Sequence, residues 1–352
     1  MGRRVWAAAL VCALWLSGCG WMDGSYVSVT PHEVGLIQSG EGTAPEISDY
    51  SQLCGALISL VDSGSAEGLF SLAHYAEEEI MADMARAVEY VTGTYPIGAY
   101  AVEHIDYETG AALGTQALRV NITYRRTREE MESIRTVRQI IGAEEAIAEA
   151  LDACQGKLVL QITGYRDTNF VAMVRQYAQQ NPDRVMEIPT VSVKVVPRKG
   201  STRVVELEFE YQTDRQTLRS MRQEVQPVFS SAALYVTGQA GERMKLSQLY
   251  TFLTERFEYT FETSVTPAHA LLCRGVGDSQ AFARVYEAMC RSIGLDVRTI
   301  RGTREGAEQW WNRVCVDGRW YHLDLLAPGG FQLLTDEQMD AYRWDPEEDP
   351  AP

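Results

Sequence analysis

The sequence predicts an α+β protein with two folded domains, and two patterns lead to this prediction. Between residues 51 and 227, segments that alternate apolar and polar residues are interleaved with segments of helical spacing. Between residues 228 and 344, two stretches of helical spacing precede a hairpin signal at Asp317-Gly318. Strands and helices that are mixed in this way form layered α+β folds.

The N-terminus has the character of an export signal. Arg3 and Arg4 precede an apolar run at 5–16, which is shorter than the roughly twenty residues that a membrane-spanning helix needs. The run ends in Leu16-Ser17-Gly18-Cys19, which resembles the lipobox of bacterial lipoproteins. The resemblance implies cleavage before Cys19, a lipid on that cysteine and an extracytoplasmic protein anchored to the cell membrane. An ordinary secretory signal with a chance cysteine is the alternative.

Composition divides the chain into five regions. Residues 20–48 are rich in Gly, Ser, Thr and Pro, as in a tether, and the last residues are too acidic and Pro-rich to fold. We therefore expect a signal peptide at 1–18, a tether at 19–50, a repeated α+β domain at 51–227, a second α+β domain at 228–344 and a disordered acidic tail at 345–352.

The domain at 51–227 is predicted to contain two βαββα-like repeats. The first has strands at 56–61, 97–105 and 118–124 and helices at 72–91 and 128–151. The second has strands at 157–162, 190–196 and 203–211 and helices at 169–180 and 214–225. The strongest match has a fixed offset, with Tyr124, Arg128, Ser133 and Arg135 corresponding to Tyr211, Arg215, Ser220 and Arg222. Chance similarity is the alternative, because a strand followed by a charged helix is common.

Charge and cysteine content exclude several classes of function. The net charge is −16 and no block of Lys and Arg stands out, so nucleic acid is not an expected partner. No CxxC motif occurs and the five histidines have no ligand spacing, so neither a metal site nor a cofactor is expected. Cys54 and Cys154 precede the first predicted strand of each repeat, and the sequence leaves open whether they pair.

The residues at 268–326 predict a helix that begins sharply and a hairpin that follows it. Asp278 and Ser279 are residues that cap a helix N-terminus, and Gly294 is placed to end that helix. If Asp317-Gly318 forms a two-residue turn, Gln309 lies diagonally opposite Asp324 on one face, within reach of a hydrogen bond.

This region, about 246–326, resembles the transglutaminase-like superfamily, which shares the papain-like core of cysteine enzymes. Four stretches carry the resemblance: Gly275-Val276 before Ala281, Gly294-Leu295, Trp311-Asn312, and the segment from Asp317 to Asp324. The resemblance implies a nucleophilic cysteine where this chain has Gly277 and a histidine where it has Gln309. The family's aspartate corresponds to Asp324.

Two of the three positions cannot do the family's chemistry. Glycine has no side chain to attack with, and glutamine cannot exchange a proton near neutral pH. We therefore expect a non-catalytic domain that binds a peptide or a wall fragment in the cleft at the family's catalytic positions. The residues expected to line this cleft are Gly277, Asp278, Ser279, Gln309, Trp311 and Asp324. Support of another envelope protein, without a ligand cleft, is a second hypothesis. An enzyme with a relocated nucleophile, Cys273 or Ser279, is the third.

Overall fold

The structure, a computed structural model, describes residues 44–72, 74–76, 78–112 and 115–345. The predicted signal peptide, Cys19, most of the tether and all of the acidic tail beyond Asp345 lie outside these residues. Helices and strands are mixed throughout the described ranges, so the α+β class is confirmed. No helix in these ranges combines the length and the apolar character that a membrane crossing requires.

The first half of the N-terminal region forms a three-stranded sheet covered by helices. Its elements are α1 (Tyr50–Ser63), β1 (Glu67–Ser71), α2 (Ile80–Gly93), α3 (Pro96–Ala101), β2 (Val102–Ala112) and β3 (Thr115–Tyr124). The sheet is antiparallel in the order β1-β3-β2. Leu53 and Leu57 of α1 and Met84 of α2 share a buried core with Leu118 and Val120 of β3.

The second half forms a four-stranded sheet. Its elements are α4 (Arg128–Glu132), β4 (Arg135–Arg138), α5 (Gln139–Asp152), β5 (Lys157–Thr163), α6 (Phe170–Gln180), β6 (Thr190–Val196), β7 (Thr202–Glu210) and α7 (Arg215–Ser230). The order is β4-β5-β7-β6, and β4 joins β5 in a parallel pair while the other pairs are antiparallel.

The two halves share one topology. Apart from α3, the succession α1-β1-α2-β2-β3 is repeated as α5-β5-α6-β6-β7. In each half the last strand lies between the other two and pairs antiparallel with both. The repeating unit is thus αβαββ, which differs from the predicted βαββα unit in beginning with a helix.

The segment at 56–61, predicted as a strand, lies inside α1. Asp49 caps this helix by accepting a hydrogen bond from the backbone N–H of Gln52 at 2.9 Å. Leu53, Leu57 and Val61 are buried at intervals of four residues, which is the spacing of a helix face. The prediction was wrong because a short apolar run has no period that separates a buried strand from a helix.

Two further segments, each predicted as a single element, contain more than one element in the structure. Residues 97–105 divide into α3, which begins with Pro96 at its first position, and β2. Residues 128–151 divide into α4, β4 and α5, because β4 pairs with β5 and interrupts the helical pattern. The change from β4 to α5 occurs at Gln139, whose φ is 55°.

The predicted tether and the predicted domain boundary at 227 both contain folded residues. Ile47, within the predicted tether, is buried in the core of the first half and donates its backbone N–H to Ser71. α7 continues to Ser230, past the predicted boundary at 227, and Phe229 and Ala232 are buried in the core of the last domain. Cys54 and Cys154 are both free thiols.

The last domain places helices against a second antiparallel sheet. Its elements are α8 (Glu242–Arg256), β8 (Glu258–Tyr259), α9 (Pro267–Arg274), β9 (Val276–Gly277), α10 (Ser279–Ser292), β10 (Val297–Arg304), β11 (Ala307–Val316), β12 (Arg319–Leu323) and β13 (Tyr342–Trp344). The sheet order is β12-β11-β10-β13. The predicted hairpin is present, with Val316 opposite Arg319 and Arg313 opposite His322.

A cluster of charged side chains joins the two halves of the repeat. Arg126, which follows β3, donates to both carboxylate oxygens of Glu206 on β7, at 2.9 and 2.6 Å. Lys157 Nζ lies 3.6 Å from Glu206 and 2.9 Å from Glu130 of α4. Burial by itself raises the pKa of Glu206, but the neighbouring Tyr100 hydroxyl and the charges of Arg126 and Lys157 outweigh it and lower the pKa.

We predict that Glu206→Gln lowers the free energy of unfolding at pH 7 by about 2 kcal/mol. This is less than the roughly 3–5 kcal/mol for breaking a fully buried pair, because Arg126 keeps part of its surface in water. Since the folded-state pKa of Glu206 is lowered, the ionised pair stabilises the protein above the ordinary Glu pKa of about 4.3. The difference in the free energy of unfolding between wild type and variant should therefore decrease as the pH falls through the lowered pKa of Glu206.

Urea unfolding followed by circular dichroism at several pH values measures this difference. Glu208→Gln is the matched control, because Glu208 is on the same strand but is exposed. Equal stability losses in the two variants would contradict the role assigned to the cluster.

Candidate functional site

The chain reaches position 277 through a sharp turn between two helices. α9 ends at Gly275, which has a left-handed φ of 84°. β9 then pairs in parallel with β8, so that the Gly277 carbonyl accepts a hydrogen bond from Thr260 N–H at 2.9 Å. Asp278 caps α10 by accepting from the backbone N–H of Ala281 at 2.8 Å. Position 277 therefore lies at the N-terminus of α10.

Gly277 is closely surrounded. A Cβ built at this residue would lie 3.0 Å from Cβ of Ala281 and 3.0 Å from Cδ1 of Leu271. The φ of Gly277 is outside the left-handed region, so the backbone does not demand glycine here. Leu271 and Ala281 occupy the space in which a side chain would begin, and any residue with a Cβ would require them to move.

Gln309 and Asp324 form the predicted pair. Nε2 of Gln309 donates to both carboxylate oxygens of Asp324, at 3.0 Å each. β11 carries Gln309, and Asp324 directly follows β12, so the hairpin register brings the two side chains together. The family resemblance implies an imidazole at position 309 and a carboxylate at position 324. In this chain position 309 is an amide, so the pair cannot transfer a proton near neutral pH.

Asp324 receives further donors that the sequence did not reveal. Tyr342 O–H donates to Oδ2 at 2.9 Å, the Leu326 backbone N–H donates to Oδ1 at 2.9 Å, and Arg304 lies 3.5 Å from Oδ2. Burial and the negative charge of Asp324 raise the pKa of Tyr342, which keeps its hydroxyl protonated as a donor. Both carboxylate oxygens are therefore occupied by groups of the protein.

The site is closed by the covering segment, residues 325–344, which follows β12 and ends in β13. Gln309 is 8% exposed, Asp324 is 5% exposed and Trp311 is fully buried. Trp311 packs with Ile300, Met339 and Tyr342 beneath β13. Of the six residues predicted to line a cleft, Trp311 thus belongs to a core and does not face an open groove.

His322 has a structural role. It is buried, and its Nδ1 accepts a hydrogen bond from the indole N–H of Trp311 at 3.0 Å. Its Nε2 lies 3.0 Å from Oδ1 of Asp336, so this nitrogen carries the proton. Nε2 therefore holds the covering segment onto the sheet through Asp336, while Nδ1 joins β12 to Trp311 of β11.

Ser279 is buried at the first position of α10, and its hydroxyl accepts a hydrogen bond from the backbone N–H of Trp310 at 3.3 Å. This contact joins the helix start to β11. Next to it the buried Arg284 lies over the Trp310 ring at 4.8 Å, and burial lowers the pKa of its guanidinium to about 10. Neither contact provides a base for the serine.

Cys273 lies on α9 in a different environment. Burial and the charge of Glu224 raise the pKa of the Cys273 thiol, which disfavours the reactive thiolate. His269, one turn earlier on α9, directs Nε2 to Oε2 of Glu224 on α7 at 2.9 Å. The donor atoms that Glu224, His269 and Cys273 offer all lie within 4.8 Å of one another, and among the described residues they form the one group able to hold a metal ion.

Several residues around the site were missed by sequence reasoning. Tyr342 and Arg304 contact Asp324 from outside the hairpin, and Glu224 reaches His269 from another helix. No spacing in the sequence joins these residues, because each comes from a separate element. His269 and Cys273 lie four residues apart on α9, but two residues at this spacing do not indicate a metal site without the carboxylate of Glu224.

Comparison with known proteins identifies the last domain. Residues 231–325 match the family model of the transglutaminase-like superfamily. No curated protein matches the sequence.

Three solved structures show a weak likeness. A TGase is 11% identical with a TM-score of 0.27, and the match covers 51% of this chain and 54% of that chain. A proposed cysteine protease from Cytophaga hutchinsonii is 12% identical (TM-score 0.26, 44% and 70% covered). A proposed protease from Parabacteroides distasonis ATCC 8503 is 8% identical (TM-score 0.26, 65% and 36% covered). At these TM-scores the superpositions carry no argument.

The family assignment therefore rests on the sequence match, which includes position 277, the Trp311-Asn312 pair and Asp324. The chain carries, at residues 231–325, a domain of the transglutaminase-like superfamily.

Proposed function

We propose that this chain is a lipid-anchored extracytoplasmic protein whose transglutaminase-like domain does no catalysis and serves as an envelope scaffold. The observation that carries the proposal is the contact of Gln309 with both oxygens of Asp324 at 3.0 Å. An amide in this place holds the carboxylate but supplies no general base.

The absent nucleophile supports the same proposal. Enzymes of this type attack with a thiolate that a helix N-terminus and an imidazole stabilise. The helix N-terminus is retained here, but Gly277 presents no sulfur, and Leu271 and Ala281 pack where a side chain would start. Removal of one member of such a catalytic unit already abolishes most of the rate.

Burial of the residues predicted to line the cleft favours a scaffold over a ligand-binding protein. Gln309, Trp311 and Asp324 are covered by the segment that ends in β13. A contact surface for another envelope protein is available beside the site, because the connection from β8 to α9 exposes Phe261 and Val265. The Phe261 ring packs edge-on against Tyr259 at 4.9 Å, and exposed aromatic groups are enriched in protein interfaces.

The membrane attachment rests on the N-terminal sequence. The lipobox-like Leu16-Ser17-Gly18-Cys19 follows a basic start and an apolar run of signal-peptide length. Two acyl chains on one cysteine hold a protein at a membrane more firmly than a single chain does. The acidic tether then separates the folded part from the membrane.

An enzyme with a relocated nucleophile is the second candidate, because Cys273, His269 and Glu224 place a thiol, an imidazole and a carboxylate close together. The arrangement does not fit a catalytic triad. Glu224 occupies Nε2 of His269, and the other ring nitrogen, Nδ1, is buried without a hydrogen-bond partner among the described atoms. The raised pKa of Cys273 opposes thiolate formation as well.

We predict no turnover by the purified protein in amine-incorporation and amide-hydrolysis assays, with an active transglutaminase as the positive control. Cys273→Ala and Ser279→Ala should behave as the wild type does, because neither residue has a base in position. Turnover that disappears in either variant would overturn the non-catalytic proposal. Thermal stabilisation by wall-derived peptides would instead favour the binding hypothesis over the scaffold.

The anchor is tested separately with Cys19→Ser. We expect the wild type to partition into the detergent phase and to carry a diacylglycerol mass on Cys19, whereas the variant loses both properties. Cys12→Ser is the matched control, since Cys12 lies in the predicted signal peptide and should leave lipidation unchanged. A soluble wild-type protein without lipid would refute the anchor and leave the proposal for the domain unaffected.

A further inference from the structure

α7 and α9 meet through polar side chains at the junction of the repeat and the transglutaminase-like domain. His269 and Cys273 are separated by four residues on α9, so they project from the same face of the helix. Glu224 projects from α7 towards them. An imidazole, a thiol and a carboxylate therefore converge from two helices.

The distances among the three groups suit a transition-metal ion. Nε2 of His269 lies 2.9 Å from Oε2 of Glu224, and the donor atoms of all three residues lie within 4.8 Å of one another. Around a tetrahedral zinc ion with bonds of about 2.0–2.3 Å, donor atoms are separated by roughly 3.3–3.8 Å. A small adjustment of the Glu224 and Cys273 side chains would reach this geometry.

The three residues combine one fixed ligand with two adaptable ones. His269 is 7% exposed, so packing fixes its ring with Nε2 directed at Glu224. Glu224 and Cys273 are both exposed, which gives an ion a path of entry and leaves a fourth position open to water. Nε2 is the ring nitrogen that faces Glu224 and Cys273, so coordination would take place through Nε2.

We propose that Glu224, His269 and Cys273 form a zinc-type site that clasps α7 to α9. Thiolate, imidazole and carboxylate are the ligands that Zn²⁺ uses, in four-coordinate geometry with water completing the set. The ion would join α7, which follows the second repeat, to α9, which leads into Gly277.

The charges of the site favour a divalent cation. Glu224 and Cys273 supply a carboxylate and a thiol beside the His269 imidazole. On coordination the thiol proton is released to solvent, the imidazole proton moves from Nε2 to Nδ1, and the ion's charge compensates the two anionic ligands.

The site is distinct from the Gln309–Asp324 pair, and the proposed metal binding does not depend on whether the domain is catalytic. The first experiment titrates the full chain, purified without metal, with Co²⁺ as a spectroscopic substitute for Zn²⁺. We expect one ion per chain, the visible bands of tetrahedral cobalt and a thiolate charge-transfer band, all displaced by Zn²⁺. We also expect Zn²⁺ to raise the Tm.

Variants at the two exposed ligands leave the core intact. Cys273→Ser should abolish the charge-transfer band, and Cys273→Ser and Glu224→Gln should each weaken Zn²⁺ binding at least tenfold. Cys54→Ser is the matched control, because Cys54 is likewise a free thiol on a helix, and it should change neither property.

A second measurement follows the thiol directly. Zn²⁺ should slow alkylation of Cys273 at least tenfold, as mapped by mass spectrometry, while the rate at Cys54 stays the same. The proposal is overturned by a cobalt complex without a thiolate band, by a band that persists in Cys273→Ser, or by Zn²⁺ affinity that is unchanged in Glu224→Gln.

Discussion

The carboxylate of Asp324 is the constraint around which the last domain is arranged. A buried charge is tolerated only when donors surround it, and here those donors come from three parts of the chain. Gln309 contributes its amide from β11, Tyr342 its hydroxyl from β13, and Leu326 its backbone N–H from the connection between β12 and β13. Satisfying this one group fixes the hairpin and the covering segment together. In an enzyme the same carboxylate would orient an imidazole that must remain accessible to substrate.

Patterns that depend on neighbouring residues were predictable. The hairpin at Asp317-Gly318 fixes its own register, so the meeting of Gln309 and Asp324 followed from counting residues along two strands. The cap of α10 by Asp278 was equally local. The family resemblance then assigned roles to positions 277, 309 and 324, and the sequence match at 231–325 bears out the family.

Features that depend on tertiary contact were not predictable. The apolar run at 56–61 is a helix because Leu53 belongs to the same buried face. Residues 135–138 form β4 because they pair with β5. Burial of Trp311 requires β13, which begins thirty-one residues further along the chain. Likewise, the sequence indicated no metal ligands because Glu224 lies forty-five residues before His269. In each case the partner residue comes from an element that no local pattern connects.

A double-mutant cycle on Gln309 and Asp324 tests most directly whether this pair has a structural role. Unfolding free energies of the wild type, Gln309→Ala, Asp324→Ala and the double variant give the coupling between the two side chains. We predict a favourable coupling of about 1.5–3 kcal/mol, as expected for a hydrogen bond to a buried charge. Additive effects, with a coupling below about 0.5 kcal/mol, would contradict the structural role.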